Sequence, residues 1–155
     1  MGLEFLPGKL RREQQVTLLR ALRDVMDEAP LFTPTMPRSG KPMSVRMTNC
    51  GPLGWVTDKE RGYRYQATHP ITGRPWPAMP QMLLHPWDEV TRYRAPPEAC
   101  LVNYYDDDAK MGLHQDKDEE DFDAPVLSVS LGDTAIFRAG GRSRRDPTRR
   151  FELES

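Results

Sequence analysis

Apolar residues recur at helical spacing once near the start of the chain. Leu18, Leu22, Val25 and Ala29 form one stripe, widened by Leu19 and Met26. The spacing predicts an amphipathic scaffold helix over 12–29, stopped by Pro30. Arg20, Arg23, Asp24 and Asp27 fall on its solvated side. Period-two alternation of Met43, Val45 and Met47 predicts a strand over 43–48. Gly51, Pro52 and Gly54 then turn the chain over 49–55. A short helix is expected over 86–94, with Pro86 in its first turn and Pro96-Pro97 beyond its end. From Cys100 the texture changes to short β-prone runs at 100–105, 110–115, 126–131 and 134–138, with another opening at 151–153. Runs separated by turns at this interval point to a sandwich or a double-sheet jelly roll.

Composition narrows the class. A chain of 155 residues with 37% hydrophobic and 29% charged residues is one globular domain rather than a disordered segment. A net charge of -1 gives no global attraction to nucleic acid or membrane. Charge is uneven locally. Residues 106–123 hold nine acids, and 138–150 hold six arginines. Fifteen prolines are about twice ordinary usage, and seven of them lie between Pro70 and Pro97, so the middle of the chain is irregular. Two cysteines far apart in sequence, Cys50 and Cys100, read as reduced thiols rather than a disulfide framework. With no signal-peptide pattern and no membrane-length apolar run, the expectation is a cytoplasmic protein with no membrane partner.

Candidate chemistry starts at His114-Gln115-Asp116. In an extended segment both side chains leave one face, because strand side chains alternate. A histidine and a carboxylate on one face begin a 2-His-1-carboxylate site for non-haem Fe(II). The ordinary alternative for such a pair is a solvated or hydrogen-bonded histidine. Asn103 and Tyr105 share a face one strand upstream, and an amide and a phenol are good partners for a carboxylate. Trp55, Tyr63 and Tyr65 near a turn could stack on an unpaired base, or simply fill core and surface. Arg142, Arg144 and Arg145 could contact phosphate, or form a solvated turn. His69 and His85 are expected at the surface.

Several of these motifs occur together in one order that resembles the bacterial AlkB family. They are Met43-Ser44-Val45-x-Met47-Thr48-Asn49-Cys50-Gly51-x-Leu53-Gly54-Trp55, Pro75-Trp76-Pro77-Ala78-Met79-Pro80, and Leu113-His114-Gln115-Asp116-Lys117-Asp118. Ala124-Pro125, Ser128-Val129-Ser130-Leu131-Gly132, Ala135-Ile136-Phe137, Gly140-Gly141 and Asp146-Pro147 complete the pattern from about Leu3 onward. The resemblance implies an α+β fold: a double-stranded β-helix (jelly roll) with the N-terminal helix packed on the sheet. It also implies one domain over 1–155, in which 1–98 is an N-terminal extension with nucleotide-recognition loops and 99–155 is the first part of the jelly-roll core.

The implied activity is oxidative demethylation of alkylated bases with Fe(II), 2-oxoglutarate and O2, releasing succinate, carbon dioxide and formaldehyde. His114 and Asp116 would bind the metal. Asn103 and Tyr105 would contact 2-oxoglutarate. Trp55, Tyr63, Tyr65, Asp118 and Arg144 would contact the substrate. The implied partner is alkylated single-stranded DNA, with double-stranded DNA and RNA as further candidates, bound by a monomer. A methyl on the pairing edge is reached only in a single-stranded or flipped nucleotide, which an aromatic such as Trp55 would hold.

The family's second histidine ligand and the arginines that clamp 2-oxoglutarate lie beyond Ser155, so the expectation is a C-terminally truncated domain. Four or five strands are readable in the second half, against about eight in a jelly roll. The alternatives are an inactive fragment that binds nucleic acid, and a related dioxygenase acting on a protein or small molecule.

Overall fold

The computed structural model describes residues 2–116, 121, 123–141 and 143–155. The first helix, α1, runs Arg12–Glu28, as its apolar stripe predicts. Gln14 accepts the Arg11 N–H at 2.9 Å and so closes the first turn. Leu18, Val25 and Ala29 are buried. Carbonyls at the other end, which a helix cannot satisfy internally, are met from outside. Thr48 Oγ1 donates to Ala29 O at 2.8 Å, and His69 Nε2 donates to Pro30 O at 2.7 Å.

Strand β1 (Arg46–Cys50) pairs antiparallel with β4 (Cys100–Tyr104), with Met47 opposite Asn103 and Cys50 opposite Cys100. On its other side, Phe32 and Met47 exchange both main-chain hydrogen bonds at 2.8 Å. Strand β2 (Gly54–Asp58) and strand β3 (Gly62–Gln66) form a hairpin. Strand β5 (Ala135–Gly140) pairs with β6 (Thr148–Leu153). The main core joins Ala29, Phe32, Val45, Met47, Val56 and Trp76. It therefore lies where α1 meets β1 and the β2–β3 hairpin.

Five expectations change. The strand expected over 43–48 is β1, which begins at Arg46 and runs to Cys50, leaving Met43 and Val45 outside it. The second helix, α2, spans Gln81–Thr91 and not 86–94. Pro80, not Pro86, stands at its start, and Pro86 sits inside it. The helix continues because Trp87 is buried and its indole donates to Ala95 O at 3.0 Å. The 49–55 turn is shorter than expected, because β1 reaches Cys50 and β2 begins at Gly54. Segments 110–115 and 126–131 are not strands. A strand needs a ladder partner for its N–H and C=O groups, and neither segment has one among the described residues. Finally, His69 is 2% exposed rather than at the surface.

The fold is α+β, with three two-stranded antiparallel sheets among the described residues. These ladders alone do not make the two facing sheets of a jelly roll. The halves differ in burial. Four of the five β1 residues are buried, whereas β5 is exposed at most positions, with Phe137 at 42% and Ile136 at 48%.

Candidate active site

His114 and Asp116 lie in an irregular segment, yet they meet. His114 Nε2 is 3.5 Å from Asp116 Oδ1. The other ring nitrogen, Nδ1, is 2.8 Å from Gly112 O. A carbonyl only accepts, so Nδ1 carries a proton, which in the neutral ring leaves the Nε2 lone pair for a metal. A metal-ligating histidine is typically oriented in this way. Metal–ligand bonds of about 2.1 Å at right angles would put two donors about 3 Å apart. The observed separation is slightly wider, and both side chains are about half exposed and able to close on an ion. The donor types and spacing fit two ligands of a non-haem iron site. Among the described residues, no third His, Cys, Asp or Glu joins them. Asp118 lies outside the described residues.

Asn103 stands in β4 and Tyr105 just beyond it, both exposed. Partial burial pushes the Tyr105 phenol up from its ordinary value, so it stays a proton donor at neutral pH. It contacts Met111 Sδ at 3.9 Å. The loop from here toward His114 is tied down by Ser44, just before β1, and by Arg46, its first residue. Ser44 Oγ donates to Lys110 O at 2.8 Å and accepts its N–H at 2.9 Å. The Arg46 guanidinium holds both carboxylate oxygens of Asp106 at 3.1 and 3.2 Å while lying over the Tyr104 ring. Asp106 is therefore engaged by Arg46.

The three aromatics come together on the β2–β3 hairpin. Trp55 is directly opposite Tyr65, and it stacks on Tyr63 at 5.6 Å between centroids, with the rings 26° apart. Alternation places all three on one face. Tyr63 is 46% exposed, so the outer ring of the stack is open to solvent. Arg144 is exposed in the turn between β5 and β6, on a different element from this platform. Asp146 shapes that turn by accepting the Ser143 N–H at 3.0 Å.

Sequence reasoning missed the residues beneath the platform. Asn49 is wholly buried. Its amide donates to Trp55 O at 3.1 Å and accepts the Trp55 N–H at 3.0 Å, the pattern a neighbouring strand would offer. Gly54 has no room for a side chain, since a Cβ there would lie 2.4 Å from the Trp76 indole. His69 packs on Phe32 and Trp76, and its Nδ1 accepts the Ile71 and Thr72 N–H groups at 3.1 and 3.2 Å. The available signal was Asn49 set just before the Gly51-Pro52 turn.

Residues 2–155 match the model of the 2OG-Fe(II) oxygenase superfamily. The chain is 52% identical to the alpha-ketoglutarate-dependent dioxygenase AlkB homolog of Caulobacter vibrioides, across 99% of this chain and 69% of that protein. It is 46% identical to the alpha-ketoglutarate-dependent dioxygenase AlkB of Escherichia coli, across 88% of this chain and 64% of that one. Among solved structures, that of OsALKBH1 superposes with a TM-score of 0.75 at 29% identity, covering 99% of this chain and 79% of that chain.

Proposed function

This chain belongs to the AlkB branch of the 2OG-Fe(II) oxygenase superfamily, and from that premise we propose that its site serves oxidative demethylation of alkylated bases in DNA or RNA. Fe(II) and 2-oxoglutarate are the family's cofactor and co-substrate. Together with O2 they supply oxidation of an N-methyl group, which leaves as formaldehyde while 2-oxoglutarate becomes succinate and carbon dioxide. The observation that carries the proposal is His114 Nε2 facing Asp116 Oδ1 at 3.5 Å, with the ring oriented by Gly112 O.

The protein's own residues divide the remaining work. His114 and Asp116 would hold the metal. The Asn103 amide and the protonated Tyr105 phenol would donate to a carboxylate of 2-oxoglutarate. Trp55, with Tyr63 as the exposed outer ring of its stack and Tyr65 opposite it, would hold an unpaired base on this platform and exclude water from one of its faces. Asp118 is proposed at the base edge, and Arg144 at the substrate side of the β5–β6 turn. The jelly roll is the proposed framework, with 99–155 as its first part. Single-stranded DNA is the favoured substrate, because its bases need no flipping to reach a stacking face.

The test uses two single-stranded oligonucleotides that differ by one methyl group on a base's pairing edge. Binding is followed by fluorescence anisotropy, and formaldehyde is measured with Fe(II) and 2-oxoglutarate present. Support would be preference for the methylated strand, lost in Trp55→Ala, together with formaldehyde release abolished by His114→Ala. Binding indifferent to both the methyl and Trp55, or formaldehyde release that survives His114→Ala, would refute the assignment.

A further inference from the structure

The two cysteines are distant in sequence but directly opposite in the β1–β4 ladder. Both are free thiols; Cys50 is wholly buried and Cys100 is half-buried. Opposed residues in an antiparallel pair have Cα atoms about 4.5–5.5 Å apart, inside the window of about 4.4–6.8 Å that a disulfide spans. Cβ atoms of directly opposed residues are typically about 4.5–5.5 Å apart, against about 3.5–4.5 Å in a disulfide. Closure is therefore feasible once the strands draw together by up to about 1 Å. A bond that must pull its strands together is strained, and strained disulfides are the readily reduced ones.

We propose that Cys50 and Cys100 are a redox modification site, which closes to a reversible cross-strand disulfide on reaction with a low-molecular-weight disulfide. The proposal stands on the ladder register and on the unequal exposure of the two thiols, and it does not depend on the dioxygenase assignment. Cys100 is the entry point, because Cys50 offers no accessible surface. The electrostatics agree. The hydrogen bond from Cys50 lowers the Cys100 thiol below its ordinary value, whereas Cys50 is raised by that bond and by burial. Cys100 is thus the better thiolate.

The exchange balances. The Cys100 thiolate attacks one sulfur of glutathione disulfide, which forms a mixed disulfide and expels one glutathione thiolate. Cys50 then gives up its proton and attacks the Cys100 sulfur, expelling the second glutathione. Two protein thiols become one disulfide, and one small disulfide becomes two thiols. The new bond would lie one residue from Asn49, which holds Trp55, and three residues before Asn103.

The test incubates the reduced, folded chain with rising ratios of oxidised to reduced glutathione. Samples are quenched in acid, remaining thiols are alkylated, and intact mass is measured. The expected product is lighter than the reduced chain by two hydrogen atoms, resists alkylation, and returns fully to dithiol with dithiothreitol. Cys50→Ser should stall as a glutathione adduct on Cys100. Cys100→Ser should take up glutathione at least tenfold more slowly. The proposal is overturned if no cyclised species forms at any ratio while circular dichroism reports a folded chain. It is overturned equally if the bond forms only in urea, or if both cysteines take up glutathione at the same rate.

Discussion

Asn49→Ala removes one side chain and two hydrogen bonds from under the aromatic platform. In the native chain the amide satisfies both main-chain groups of Trp55, at 3.0 and 3.1 Å, from a fully buried position. A buried donor or acceptor left without a partner costs about 1–3 kcal/mol. Trp55 is only half-buried, so water can recover part of that loss. The deletion is expected to cost about 3 kcal/mol, in the lower half of the range for two such groups because water recovers part of the loss. For a chain of this size that lowers Tm by about 6–12 °C. Thermal and urea denaturation measure it, with the m-value confirming that the same transition is compared. Asn49→Asp sharpens the test. The carboxylate keeps the bond from Trp55 N–H but presents charge to Trp55 O. Burial and that carbonyl raise the new carboxyl's folded pKa above its unfolded value of about 3.9. The unfolded state then ionises more readily, so the deficit is full above the folded pKa and shrinks as pH falls toward 4. The reasoning fails if Asn49→Ala costs under about 1 kcal/mol, or if Asn49→Asp matches the native chain at neutral pH.

Three further outcomes follow from the packing. Gly54→Ala places a methyl 2.4 Å from the Trp76 indole and 2.8 Å from Asn49 Cβ; overpacking of this kind costs about 1–3 kcal/mol or more, and an unchanged Tm would contradict it. His69→Ala strands Pro30 O and two loop N–H groups; a loss of about 2–4 kcal/mol is expected in urea denaturation, with Fe(II) affinity unchanged because His69 is a core residue. His114→Ala should reverse that pattern, with stability nearly unchanged and Fe(II) affinity by calorimetry lower by at least about tenfold; equal affinity in the variant would remove His114 from the ligand set.

What the sequence made legible follows physical rules. Periodicity placed α1, because one stripe of Leu18, Val25 and Ala29 leaves a helix little choice of face. It did not reveal the β2–β3 hairpin, whose strands are five residues each and whose aromatic face is half solvated. Alternation in 110–115 and 126–131 suggested strands, but alternation describes a face and not a partner. His69 was misplaced because its surroundings in sequence are polar and proline-rich. Its neighbours in space are Phe32 and Trp76, and no local window joins those three rings. The paired residues His114 and Asp116 were legible as a spacing, and they meet without the strand that the spacing presupposed.

The two halves of the candidate site are held by different means. On the Trp55 side the supports are buried: Asn49 holds Trp55 through both side-chain polar atoms, His69 has both ring nitrogens engaged against Phe32 and Trp76, and Gly54 leaves no gap against Trp76. Such contacts cannot be exchanged for water without cost, so the stacking face is fixed by the same core that stabilises the fold. Toward His114 the supports are exposed. Ser44 and Arg46 hold the loop through bonds to Lys110 and Asp106 that solvent can replace. The exposed Arg46–Asp106 pair contributes at most about 1 kcal/mol. His114 and Asp116 are thus brought together by short-range geometry more than by packing, and a bound ion is itself a means of ordering them. A rigid aromatic platform and an adaptable His114–Asp116 pair suit the two proposed tasks. Stacking depends on a surface already in place, whereas a coordination sphere is completed as the metal arrives.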